Sequence, residues 1–132
     1  MDNSQLVTKY LDVVNRSLQA NRDHFPWKQI IAKGETTWSG KNIGLGINEP
    51  AREVPETYTI KFVNGSFVND GPGKVDTTYT WEADKAFMEK VVANPQEYID
   101  NPMKINWDWV KSSLNLGDSE QSTGYSAGGS NP

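Results

Sequence analysis

The stretch "ETYTIKFVNGSFVNDGPG", Glu56 to Gly73, constrains the fold more than any other. Tyr58, Ile60 and Phe62 alternate with Thr59 and Lys61, the period of a strand with one apolar face. Asn64-Gly65 follows, a pair suited to the two left-handed positions of a tight hairpin turn, and Phe67 and Val68 begin the return strand. "NDGPG" then turns the chain again. An antiparallel hairpin is thus predicted before any other element is considered.

The flanking segments supply the rest of a sheet and its cover. Leu6, Tyr10, Val13, Val14 and Leu18 recur at helical spacing, with Asp2 to Ser4 placed to cap that helix. "HFPWKQIIAKG" predicts a short second helix, with Pro26 in its first turn and Gly34 at its end. In "NIGLGINEP", Ile43, Leu45 and Ile47 share one face of a strand and Gly44 and Gly46 the other. The stretch "KVDTTYTWEADKAFMEKVV" changes period midway. Val75, Thr77, Tyr79 and Trp81 alternate as a strand, and from about Glu82 to Ala93 the apolar residues recur as in a helix. "NPQEYIDNP" is a shorter helical piece between two Asn-Pro breaks. "MKINWDW" alternates again, with Met103, Ile105, Trp107 and Trp109 on one side, and "WVKSSLNLG" is a closing helical piece. The expectation is an α+β fold in which a five-stranded, mostly antiparallel sheet is covered by helices. Residues 1–117 form one domain, and residues 118–132, rich in Ser and Gly, form a disordered tail.

Composition narrows the function classes. At 132 residues the chain is long enough for a true core, burying roughly 68% of its unfolded surface. Five Trp and five Tyr make that core, or a cavity inside it, bulky. The net charge is −4 with scattered basic residues, which argues against nucleic acid and against a purely electrostatic membrane binder. There is no Cys, so disulfides, thiolate nucleophiles and Cys-ligated metals are excluded. No apolar run reaches the ~20 residues of a membrane span, and the acidic amphipathic N-terminus lacks the features of a secretory signal; a cytoplasmic location is expected.

Few residues point to chemistry. "GLG" lacks the third Gly and the helix of a dinucleotide loop. His24 stands alone, with no carboxylate spacing around it that suits a metal, and no Ser lies in a nucleophile elbow, so neither metal nor cofactor is expected. Asp108, between Trp107 and Trp109, could be a desolvated base or a helix cap, and Asp84 is the other carboxylate that an enzyme could use. The aromatic and aliphatic residues Trp81, Phe87, Val91, Tyr98, Ile105 and Trp109 suit either a solid core or the lining of a cavity.

From Thr57 to Leu116 the order of motifs resembles the sterol carrier protein 2 family. Asn64-Gly65 matches that family's hairpin, and Asp76 the acid of its spacer. Phe87 and Met88 match its helix face, Pro95, Tyr98 and Ile99 its short helix, and Met103, Lys104 and Ile105 its last strand. Trp107 stands where the family usually has Gly, and Asn94 where Gly commonly precedes the short helix. The resemblance implies a sheet and helices enclosing an apolar tunnel for a fatty acyl chain, sterol or similar lipid, without catalytic machinery. It selects the cavity reading, with Tyr79, Trp81, Phe87, Met88, Val91, Tyr98, Ile105 and Trp109 as lining residues. The expected partner is a hydrophobic small molecule or lipid, handed to a membrane or an enzyme by transient contact. Two alternatives stay open. One is a small isomerase or cyclase with a cavity carboxylate. The other is a non-catalytic accessory subunit with an exposed apolar face.

Overall fold

The computed structural model describes residues 2–73, 77–105, 107 and 110. The elements in chain order are α1 (Asn3–Ala20), α2 (Trp27–Thr37), β1 (Asn42–Asn48), β2 (Glu56–Val63), β3 (Ser66–Pro72), β4 (Thr77–Asp84), α3 (Lys85–Ala93) and α4 (Pro95–Asp100), followed by a 3-10 turn, Pro102–Lys104. The strands form one mixed sheet in the order β3-β2-β1-β4. β1 pairs antiparallel with β2, and β2 with β3, whereas β4 lies parallel to β1.

Helix α1 begins with a reciprocal cap. The Gln5 amide donates to Asp2 Oδ1 at 2.8 Å, and Asp2 N–H donates to Gln5 Oε1 at 3.1 Å, so two otherwise orphaned donors are satisfied. Its predicted apolar face is buried in full, joined by Val7, Leu11 and Ser17. Further along, the Asn15 carboxamide grips the backbone of Phe67, donating to its carbonyl at 2.9 Å and accepting from its N–H at 2.7 Å. These groups are available because of the hairpin. Val63 and Ser66 flank the two-residue turn, so the next pair, Phe62 and Phe67, is the wide one whose N–H and C=O point outward. Asn64 and Gly65 have φ of 53° and 80°, the two left-handed positions of a type I′ turn.

The core lies between the sheet and the helices. Trp38 meets Phe62 edge-on at 5.0 Å between ring centroids and Phe67 at 5.5 Å; Phe67 in turn meets Trp81 at 5.8 Å, and Trp81 meets Tyr10 of α1 at 5.7 Å. Ile43, Leu45 and Ile47 of the central strand are fully buried beside this aromatic row. The buried Ser17 hydroxyl donates to the Tyr98 carbonyl at 2.9 Å, tying α1 to α4.

Four expectations are corrected. Gly34 does not end α2, which runs on to Thr37; Gly34 is there because Trp38 folds back so closely that a Cβ would lie 2.7 Å from its ring. The strand β4 extends through Glu82, Ala83 and Asp84, which the sequence places in a helix, because each of these residues is registered against β1. The sheet has four strands among the described residues, not five. Met103 and Lys104 occupy the 3-10 turn that Pro102 opens, and the indole of Trp107 holds it by donating to the Pro102 carbonyl at 2.7 Å. The turn also breaks the expected alternation: Ile105 and Trp107 are buried, but Met103 is 67% exposed. Trp107, at a position where Gly was the family expectation, packs against Trp27 of α2 at 4.9 Å. Asp108, Trp109 and the 118–132 tail lie outside the described residues.

Candidate functional site

Strands β1 and β4 run side by side and end together, Asn48 opposite Asp84. At that end a cleft of about 560 Å³ opens, within the range of about 300–1,000 Å³ usual for small-molecule sites. The β4 segment Trp81–Asp84, at the limit of the described sheet, forms one wall, and Met103 and Lys104 of the 3-10 turn, with Ile105 after it, form the other. Tyr10 of α1, Phe87 of α3 and Asn48 of β1 complete it. A second hollow of about 400 Å³ adjoins it, lined by Asn48, Glu49, Pro50, Asp84 and Ala86.

Along β4, Trp81 turns into the core while Glu82 and Asp84 alternate to the outer face, Glu82 beside Gly46 of β1. Trp81 and Tyr10 are buried against each other at the cleft floor, and burial pushes the Tyr10 phenol well above its ordinary value of 10, so it stays protonated. Phe87 is half-buried, edge-on to Tyr98 at 5.9 Å, with part of its ring toward the cleft. At the mouth Glu82 and Asp84 are exposed, and Glu82 accepts a long bond, 3.4 Å, from the Asn48 amide. Lys104 donates to Glu97 at 2.9 Å. That bond and the attraction behind it lower the Glu97 carboxyl and raise the Lys104 ammonium.

Beside the second hollow, Glu49 gathers three partners. The Asn3 amide reaches it at 3.2 Å, Arg52 at 3.3 Å and Lys85 at 3.4 Å. Desolvation alone would raise its carboxyl; the Asn3 bond and the two cations outweigh that and hold it below its ordinary value. The same Asn3 amide also donates to Glu56, whose other oxygen accepts from Tyr58. Burial, then the Glu56 charge and hydrogen bond, raise the Tyr58 phenol.

Of the residues singled out in the sequence, the cleft brings together Trp81, Phe87, Ile105 and Asp84. Met88, Val91 and Tyr98 are buried in the core, on the helices α3 and α4 that pack against α1. Tyr79 lies farther up β4, half-buried, with Lys41 Nζ 6.0 Å from its ring centroid. His24 is exposed. Among the described residues no three His, Cys, Asp or Glu converge as a metal site, and no helix is long and apolar enough to cross a membrane. Sequence reasoning missed Tyr10, Asn48, Glu82, Ala83, Met103 and Lys104 as lining residues. Only Asn48 carries a signal, as the polar end of a strictly alternating strand just before Pro50.

Comparison with known proteins found no family model, no curated protein and no solved structure that matches this chain.

Proposed function

We propose that this domain is a small carrier that takes the apolar body of a ligand into the cleft between β4 and the Met103–Ile105 segment and releases it by diffusion. The likeness to sterol carrier proteins, with its lipid-like ligand class and its fifth strand, belongs to this proposal. The observation that carries it is the meeting of Trp81 of β4, Phe87 of α3 and Ile105, just past the 3-10 turn, on one open hollow of about 560 Å³. Asp84 sits exposed at the mouth, suited to meet a ligand's polar end rather than to act as a base in a dry pocket.

Ten buried methylenes would contribute about 8 kcal/mol, from which association removes several kcal/mol. Affinities of roughly millimolar order are expected, as befits a carrier that must let go. The test is titration with the neutral fluorophore N-phenyl-1-naphthylamine, following energy transfer from tryptophan, together with native mass spectrometry of the freshly purified protein. Saturable binding that Met103→Trp weakens is expected, since this exposed side chain can fill the cleft without disturbing the core. No binding of the probe and no copurified ligand would remove the carrier reading.

A further inference from the structure

We infer that the free edge of β4 takes an extended basic segment of a partner protein, which adds to the sheet as a strand. This goes beyond the carrier reading, because it rests on the backbone of β4 and not on a small ligand in the cleft.

The hydrogen-bond pattern of the sheet leaves this edge open. Backbone groups alternate in direction along a strand. The Thr57 carbonyl accepts from the Gly73 N–H at 2.8 Å, on the β3 side, so Tyr58 and Ile60 turn their groups toward β1. Their partners there are Leu45 and Ile43, which leaves Gly44 and Gly46 to bond β4. In a parallel ladder a residue bonds to the neighbours of its register partner. Gly44, opposite Thr80, thus reaches Tyr79 and Trp81, and Gly46, opposite Glu82, reaches Trp81 and Ala83. The N–H and C=O of Thr80 and Glu82 therefore point away from the sheet, and no described residue pairs with them.

The other edge is treated differently. There the Asn15 carboxamide occupies both backbone groups of Phe67, and Asn69 adds a second tie to α1. An uncovered edge is a template for another strand, and strand addition at such an edge is a recurring mode of peptide recognition.

The side chains beside the edge choose the occupant. Thr80 and Glu82 are exposed on the outer face, and a peptide residue directly opposite either one shares that face. Glu82 forms no ion pair among the described residues, so a Lys or Arg opposite it supplies a cross-strand partner that the fold does not. A second copy of the chain would instead bring the same carboxylate, and a net charge of −4, to the seam. The intervening peptide residues face the other way, where the cleft opens beside Ala83 and Phe87, and apolar side chains suit them. The fitting segment alternates basic and apolar residues.

The test titrates the acetylated, amidated hexapeptide KVKVKV into the full chain at neutral pH and low salt, with amide hydrogen exchange followed residue by residue. Saturable binding that slows exchange at Thr80 and Glu82 is expected. In antiparallel addition the lysine N–H groups face β4 and the valine N–H groups face away. N-methylation of the lysines should therefore abolish binding, and N-methylation of the valines should not. EVEVEV should bind at least about fivefold more weakly, on the scale of cross-strand charge pairs, and the difference should shrink with salt. Thr80→Pro removes an outward N–H without touching the β1 ladder, a change that edge strands tolerate, and should weaken binding. Glu82→Lys, at an exposed position, should turn the preference toward EVEVEV. No binding, equal binding of the two peptides, or binding that lysine N-methylation leaves unchanged would overturn the inference and leave the carrier reading in place. Slowed exchange of the same two amides in concentrated protein without peptide would give the edge to a second copy and overturn it as well.

Discussion

Phe87→Trp separates a cleft from a solid core in one substitution. Phe87 is half-buried, its ring meeting Tyr98 at 87° on one side and lining the cleft on the other. The larger indole has about 560 Å³ of open space to enter, so nothing need be pushed aside. The edge-on contact with Tyr98 is worth about 0.5–1.5 kcal/mol, and an indole edge can keep most of it. The net change in stability should then stay below about 1 kcal/mol, a shift of a few degrees at most for a chain of this size. Binding of N-phenyl-1-naphthylamine should weaken by roughly tenfold, or about 1.4 kcal/mol, because the indole occupies the space of the probe. Met88→Trp, one residue on, is the contrast. Met88 is fully buried, so the same bulk overpacks the core and should cost about 1–3 kcal/mol or more. Chemical denaturation of both variants, beside the probe titration, supplies the readouts. A Phe87→Trp protein as unstable as the Met88→Trp protein, with unchanged probe binding, would refute the reasoning: the site would be packed core.

Three further outcomes follow from the fold. Asn15→Leu should destabilise by about 2–3 kcal/mol in urea, because it removes two hydrogen bonds and leaves both backbone groups of Phe67 without the amide that satisfies them; a loss under about 0.5 kcal/mol would mean that water replaces the amide freely. Gly34→Ala should lower the melting temperature although Ala is favoured in helices by about 1 kcal/mol, since its Cβ would sit 2.7 Å from the Trp38 ring, a clash that a rise in melting temperature would disprove. Glu49 has its folded carboxyl depressed, so its contribution is present above the ordinary value of 4.5 and is lost as pH falls through the lowered folded value. Glu49→Gln should therefore flatten the fall in stability below about pH 4.5, seen as a shallower acid limb in pH-dependent melting; an unchanged limb would count against this assignment.

Local signals in the chain predict its local elements well. The Asp2–Gln5 cap, the five apolar positions of α1, the Asn64-Gly65 turn and the short helix between two Asn-Pro steps are each decided by neighbours within a few residues. The misplaced boundaries were decided at long range. Glu82, Ala83 and Asp84 have weak strand preference, and they extend β4 because Gly46, Ile47 and Asn48 offer them a parallel partner far away in the chain. Met103 and Lys104 alternate as a strand should, yet Pro102 and the Trp107 indole bend them into a turn. The cleft was half legible for a related reason. Phe87, Met88 and Val91 are apolar neighbours on one short helix, and periodicity says that they face inward. It does not say that Met88 and Val91 meet α1 while Phe87 meets open space.

The grip of Asn15 on Phe67 bears on how the molecule behaves among its own copies. Among the described residues β3 ends the sheet on its side, and the outward N–H and C=O of a terminal strand are a template on which another chain can add a strand. At Phe67 that template is already occupied, with the carboxamide standing in for the missing backbone. Asn69 extends the cover by donating to Thr8 Oγ1 at 3.2 Å. Helix α1 thus seals the edge where the large apolar residues of the hairpin come closest to solvent, and self-association through β3 would require it to peel away first. Concentrated samples in which Asn15 has lost its amide are where intermolecular sheet, and then fibrils, should begin.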